Sequence, residues 1–193
     1  PYSSSSSILG NINLIDLSNL SSDENIQLEE KIINDEYVDY KKVYKHKSDY
    51  LRLVSKNMDI NEKDYQLFLE NVTIRKHLTF LTLVQINKVP WNQWIDSEYT
   101  YTEQLFEFVV KEFNSDFKFN LYTQFEFYKQ WNELKRYANK SGVKILGDIP
   151  IYVNHNSADV WSDKSLFDLN EKGEMSYVSG AVPDDFTVDG QVW

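Results

Sequence analysis

Apolar side chains recur at helical spacing along most of the chain as far as Gly142. Over residues 116–139 they return every three or four positions, which predicts one long helix with a wide stripe for burial in a core. The stripe consists of Leu121, Phe125, Tyr128, Trp131, Leu134 and Ala138. Shorter helices are predicted to begin at Asp39 and at Thr102, because both residue types cap helix N-termini well.

Shorter patterns occur before Pro90. Alternating apolar and polar residues at 11–17 favour a short strand or an extended segment. Ser22 fits the N-cap of a helix that runs to about Ile33. At residues 78–86 a mostly apolar run with several β-branched side chains fits a helix and a strand equally well.

The pattern changes at Gly142, which fits the C-terminal cap of the long helix. Residues 143–153 are rich in β-formers, so a strand is predicted directly after the helix. This order is typical of a sheet with parallel strands, either a barrel or an open sheet, whose chemistry lies at the carboxyl ends of the strands. Asp148 is expected at such an end, and a structural aspartate that caps a loop is the alternative.

Three short elements are predicted after this strand. Residues 157–161 indicate a short helix or turn. Turn residues at 170–173 predict a hairpin, and Asp189-Gly190 predicts a second one between residues 186–188 and 191–193.

Charge and composition exclude several classes of partner. The formal charge of -10 disfavours nucleic acid and an anionic membrane surface. There is no cysteine, and His46, His77 and His155 are too scattered for a metal site. No apolar run approaches the ~20 residues that span a bilayer, so we expect a soluble, cytoplasmic protein. On composition alone the serine-rich start, residues 3–7, fits a flexible linker.

Candidate chemistry is concentrated late in the chain, and the usual motifs for phosphate, dinucleotide, serine-hydrolase and zinc-protease sites do not occur. The late acidic, amide and aromatic residues are Asp148, Tyr152, Trp161, Asp184, Asp185, Phe186, Gln191 and Trp193. Aromatic rings can cover the apolar faces of a sugar, and carboxylates and amides can bind its hydroxyls. The set therefore suits a carbohydrate, with ordinary loop packing and a solvated acidic face as the alternative.

Several motifs, in matching order and spacing, resemble those of the amylomaltase family (4-alpha-glucanotransferase or disproportionating enzyme, glycoside hydrolase family 77). The most specific are Gly-Asp-Ile-Pro-Ile-Tyr-Val at 147–153, Ser-Ala-Asp-Val-Trp at 157–161, Gly-Ala-Val-Pro-Asp-Asp-Phe at 180–186 and Gly-Gln-Val-Trp at 190–193. Residues 91–94 and 124–131 are similar to two further segments of the family. The serine-rich start is similar to the family's Ser-Pro-Tyr-x-Ser stretch, which argues against a linker.

The resemblance implies an α/β fold that is part of a (β/α)8 barrel. A complete barrel takes about 250 residues, so we expect an internal fragment around strands two and three with a helix-rich insertion. Residues 1–20 would lie near strand one and residues 21–114 would form the helical insertion. Residues 115–193 would supply a barrel helix, strand three and the following active-site loops.

The resemblance also implies a function, the retaining transfer of α-1,4-glucan segments between maltooligosaccharides, without a cofactor or metal. The family's catalytic carboxylates lie beyond the matched region, so no catalytic residue is expected in this chain and the fragment alone should be inactive. The substrate-binding residues implied are Tyr2, Asp148, Asp184, Asp185, Phe186, Gln191 and Trp193. Many relatives have tyrosine where Asp185 stands. A non-catalytic glucan-binding or interaction module derived from a barrel piece is the alternative.

Overall fold

Helices dominate the described part of the chain. The computed structural model describes residues 4–18, 20, 37–95, 98–149 and 151–192. The α-helices are α1 (Tyr40–Ser55), α2 (Lys63–Leu69), α3 (Val72–Asn87), α4 (Glu103–Glu112), α5 (Asn114–Lys140) and α6 (Ala158–Ser162). Short 3-10 helices cover Ile12–Leu14, Trp91–Gln93 and Lys164–Leu166, and two strands are β1 (Gly180–Ala181) and β2 (Gln191–Val192).

Side-chain caps set the helix starts that the sequence predicted. Asp39 accepts hydrogen bonds from the first amides of α1, and the Thr102 hydroxyl accepts one from Leu105 N at 3.0 Å at the start of α4. The ambiguous run at 78–86 is helical, as part of α3. There the Thr82 hydroxyl donates to Leu78 O at 2.9 Å, which satisfies this β-branched side chain inside a buried helix.

The core forms where α3 packs against α4, α5 and α6, and where α1 packs against α5. Phe80 of α3 lies 5.5 Å from Trp94 and 5.7 Å from Trp161, measured between ring centroids. The Trp161 indole donates to Glu98 O at 2.9 Å, so its polar atom is satisfied inside the core. Trp161 therefore serves packing and is not part of a sugar site.

The long helix α5 confirms the predicted helix, but only part of its stripe is buried. Leu121 is fully buried, whereas Trp131, Leu134 and Tyr137 further along are exposed. The expectation that the whole stripe is core is wrong for this second half. The buried residues of α5 lie between Phe117 and Glu126, whereas residues 131–140 are exposed apart from the half-buried Ala138.

Gly142 ends α5 as predicted, with a φ of 77°. Val143 N donates to Ala138 O at 2.9 Å and Gly142 N donates to Asn139 O at 3.1 Å, the hydrogen-bond pattern of a Schellman motif. The strand predicted at residues 143–153 is not seen, because residues 143–149 have no regular structure and Leu146 is 98 % exposed. A strand needs neighbouring backbone groups, and no described segment pairs with these residues. The partial barrel is therefore not seen in these elements.

Two further predictions are corrected near the chain ends. Residues 11–17 contain the 3-10 helix Ile12–Leu14 in place of a strand, and the backbone is extended only beside it, at Asn11 and Ile15. The hairpin at Asp189-Gly190 has a different first strand, since β2 pairs antiparallel with Gly180–Ala181. Residues 186 and 187, which were expected to pair with residues 191–193, lie instead in a turn over residues 184–187. The helix predicted from Ser22 lies outside the described residues.

The remaining predicted elements are confirmed. Ser157 caps the short helix α6, and an antiparallel bridge joins Leu169 to Met175 across the first predicted hairpin. Of the helices that the structure describes, none combines the length and the apolar character needed to cross a membrane.

Candidate functional site

The serine-rich segment, residues 4–10, is fixed by side chains from three helices and is not a flexible linker. Ser6 is 5 % exposed, and its hydroxyl lies 2.8 Å from His77 Nδ1 on α3. Ser7 N donates to Asp159 Oδ2 at 2.9 Å on α6, and the Ser7 hydroxyl donates to the other oxygen of the same carboxylate. The segment therefore has a defined path across the helical core.

Helix α5 supplies the third set of contacts through side chains that bind backbone groups. Gln124 accepts from Gly10 N at 2.7 Å and donates to Gly10 O at 3.1 Å. Tyr128 donates to Ile8 O at 2.6 Å. Gln130 makes the same pair of bonds with Asp16, at 2.8 and 2.9 Å. These polar side chains of α5 replace the backbone partners that a sheet would give this segment.

An open cavity of about 820 Å³, here called the Asp148 cavity, lies beside this segment. Its lining includes residues 4–7, Asp148 and a group of uncharged polar side chains. These side chains are Asn11, Tyr44, Gln85, Asn120, Thr123 and Gln124. Hydroxyl and amide groups bind neutral polyhydroxy ligands without a charged partner, so the lining suits a carbohydrate.

Three polar side chains of the Asp148 cavity differ in how many of their hydrogen-bonding positions are filled. Asp148 is exposed, and Oδ1 accepts a hydrogen bond from Ile149 N at 2.9 Å, so the carboxylate retains acceptor capacity for a ligand. The buried Thr123 hydroxyl has no hydrogen-bond partner among the described residues. Asn120, by contrast, donates to Thr82 at 3.0 Å and accepts from Gln85 at 3.1 Å.

Asp184, Asp185 and Phe186 lie on the loop that joins β1 to β2. Asp184 Oδ1 accepts from Phe186 N at 2.9 Å and Thr187 N at 2.8 Å. These bonds, chiefly the one from Thr187, hold the pKa of Asp184 below its ordinary value. Phe186 is 94 % exposed, so its ring is free to cover a ligand.

The structure brings the predicted site residues into two groups. Asp184, Asp185 and Phe186 share one loop, with Gln191 at its base opposite Ala181. Asp148 lies in its own cavity, whose lining among the described residues includes none of those four. Tyr2 and Trp193 lie outside the described residues.

Sequence reasoning gave no site role to Gln124, His77 or Asp159, which hold the serine-rich segment. Their partners are 114, 71 and 152 residues away along the chain, so no local pattern links them. The one local signal is the presence of polar Gln124 and Gln130 beside the apolar stripe of α5. Among the described residues, no three or more histidine, aspartate or glutamate side chains form a cluster that could hold a metal ion.

A match to a solved structure supports the α/β class, which the two short strands among the described residues do not show by themselves. The structure matches the amylomaltase from Streptococcus agalactiae in complex with acarbose, with a TM-score of 0.80 and 30 % sequence identity. The match covers 100 % of this chain and 41 % of that one. Because the family model described as 4-alpha-glucanotransferase matches residues 1–193, the chain belongs to that family.

Curated relatives lead to the same family. The chain is 35 % identical to a 4-alpha-glucanotransferase of Clostridium butyricum, over 100 % of this chain and 42 % of the relative. It is 31 % identical to a 4-alpha-glucanotransferase of Aquifex aeolicus, over 100 % of this chain and 40 % of that protein. The resemblance found in the sequence is confirmed, and the chain spans about two fifths of the length of these relatives.

Proposed function

We propose that the chain is part of an enzyme that transfers α-1,4-glucan segments between maltooligosaccharides. The observation that carries this proposal is the family match over all 193 residues. The amylomaltase with the matching fold was solved with acarbose, a mimic of a maltooligosaccharide. The lining of the Asp148 cavity combines uncharged polar side chains, apolar side chains and one carboxylate, which supports a neutral sugar as the ligand.

The architecture proposed for the intact enzyme is a (β/α)8 barrel, to which residues 115–193 contribute a helix, strand three and the following loops. Two features support it. The long helix α5 ends in a Schellman motif directly before an apolar segment, as a helix that precedes a barrel strand should. That apolar segment and the second half of α5 expose large side chains that further strands and helices would cover. Residues 1–20 are proposed to lie near strand one, and residues 21–114 to form an inserted helical subdomain.

The proposed substrate contacts come from both groups of candidate residues. Asp148 would accept hydrogen bonds from glucose hydroxyls at the end of its strand, and Gln191 would bind through its amide. Asp184, Asp185 and Phe186 would cover the cleft and keep water from competing with the acceptor glucan. Tyr2 and Trp193 are proposed to line the same subsites.

The reacting carboxyl groups are proposed to lie in the part of the enzyme that this chain does not span. Retaining transfer needs two carboxyl groups about 5–5.5 Å apart, one to attack the anomeric carbon and one to protonate the leaving oxygen. The chain covers about two fifths of its relatives, which leaves room for both elsewhere. The role of residues 1–193 would then be to bind and orient the glucan.

Incubation with maltotriose tests this proposal. The longest gene product that contains these residues should release glucose and form longer glucans, whereas residues 1–193 alone should form neither. Turnover by residues 1–193 alone would contradict the assignment of the carboxyl groups. Binding of maltodextrin without turnover by the longest gene product would favour a glucan-binding module.

A further inference from the structure

A buried hydrogen bond between Ser6 and His77 ties the serine-rich segment to the centre of the helical core. Ser6 Oγ lies 2.8 Å from His77 Nδ1. Ser6 is 5 % exposed and His77 is 2 % exposed. Water therefore competes little with this hydrogen bond, and the protonation state of the imidazole decides whether the bond forms.

The surrounding hydrogen bonds determine which atom carries the proton. Ser6 Oγ accepts from Ile8 N at 3.2 Å and from Leu9 N at 2.9 Å. Both acceptor positions of the hydroxyl are then filled, so its own hydrogen donates to His77 Nδ1. His77 must be neutral, with its hydrogen on Nε2.

Protonation of His77 would therefore break this arrangement. A hydrogen on Nδ1 would face an oxygen that already accepts two bonds and would leave the Ser6 hydrogen without its acceptor. The loss reaches the Asp148 cavity, because residues 4–7 and Gly10 form part of the cavity wall.

Charged groups around His77 act in both directions. Burial is the largest effect and lowers the pKa of His77 below its ordinary value of 6.5. Asp159 on α6 and Asp163 beside it raise this pKa, and Lys76 on α3 lowers it. Asp163 is paired with Lys76 at 2.8 Å, and Asp159 binds Ser7. Because the pKa of His77 is lower in the folded chain, the unfolded chain binds a proton at pH values where the folded chain does not. The stability that neutral His77 contributes is thus complete above pH 6.5 and is lost as the pH falls below it.

We propose that His77 is a positioning residue that, through Ser6, holds residues 4–10 against the Asp148 cavity only while its imidazole is neutral. This inference rests on the proposed function for its effect on glucan binding. The contact itself is independent of that function. His77 does not touch the substrate, so its effect should appear in KM more than in kcat.

Three variants of the longest gene product test the proposal. His77→Asn keeps an acceptor near Nδ1 and cannot titrate, His77→Leu removes the acceptor, and His46→Asn is the matched control on α1. The first measurement is hydrogen exchange at the amides of Ile8 and Leu9 between about pH 5 and about pH 8, corrected for intrinsic rates. The second is kcat and KM for maltotriose over the same range, with thermal unfolding as the check on folding.

The wild type should show faster exchange at these two amides as the pH falls below 6.5, by about fivefold or more once the bond is lost. His77→Asn should remove this pH dependence and keep the wild-type KM, and His77→Leu should show fast exchange and a raised KM at every pH. His46→Asn should match the wild type. The proposal is overturned if His77→Leu exchanges like the wild type, or if His77→Asn keeps the wild-type pH dependence. A wild type without transfer activity but with the expected exchange would refute the proposed function alone.

Discussion

Asp148 is an exposed aspartate whose side chain makes a local hydrogen bond to the amide of Ile149. It therefore contributes little to the fold, which favours a role in ligand binding over the structural alternative. The sequence could place it after the long helix because helix, glycine cap and apolar run are local signals. The contacts of Ser6 and Gly10 could not be predicted in this way, since His77 and Gln124 meet them across 71 and 114 residues.

The substitution Asp148→Asn in the longest gene product should weaken transfer much more than folding. Loss of charge-assisted bonds to sugar hydroxyls, each worth about 1.5–3 kcal/mol, should lower kcat/KM for maltotriose by about 10- to 100-fold. The free energy of unfolding should change by less than about 0.5 kcal/mol, as is usual for an exposed side chain. Asp168→Asn, another exposed aspartate, is the control and should leave both quantities unchanged. Equal losses of activity and stability would assign Asp148 a structural role.

At the scale of elements, helices were predictable and strands were not. The caps at Asp39 and Thr102 and the end at Gly142 act within a few residues, and the structure shows all three. The apolar run at 143–149 has the composition of a strand, yet a strand also needs at least one neighbouring strand to pair its backbone groups. Because the described residues offer none, the run forms no strand among them.

The barrel proposal makes a prediction for residues 143–149 in the longest gene product. If neighbouring strands pair with this run, the amides of residues 145–147 should exchange at least about 1,000-fold more slowly than in an unfolded chain. The reason is that opening a core strand costs a large part of the global free energy of unfolding, on the order of 4 kcal/mol or more. The exposed loop amides of Val182 and Asp185 should exchange fast and serve as the internal control. Hydrogen exchange followed by mass spectrometry or NMR measures both sets. Fast exchange at residues 145–147 would contradict a paired strand.

At the scale of the whole molecule, the second half of α5 and the run that follows it expose large apolar side chains. Leu134 and Tyr137 on α5, and Leu146 and Ile149 beyond it, are all exposed. Large apolar side chains exposed on consecutive segments of a chain are often covered in a working protein. Together with the coverage of about two fifths of the curated relatives, it supports a larger enzyme in which these faces are buried.

A crystal structure of the longest gene product with acarbose would test the central proposal most directly. The Asp148 carboxylate should lie within about 3.2 Å of a hydroxyl of the bound ligand. Both carboxyl groups that flank the position of the scissile bond should come from outside residues 1–193. An aspartate or glutamate of residues 1–193 in either flanking position, or a ligand that does not reach Asp148, would contradict the proposal.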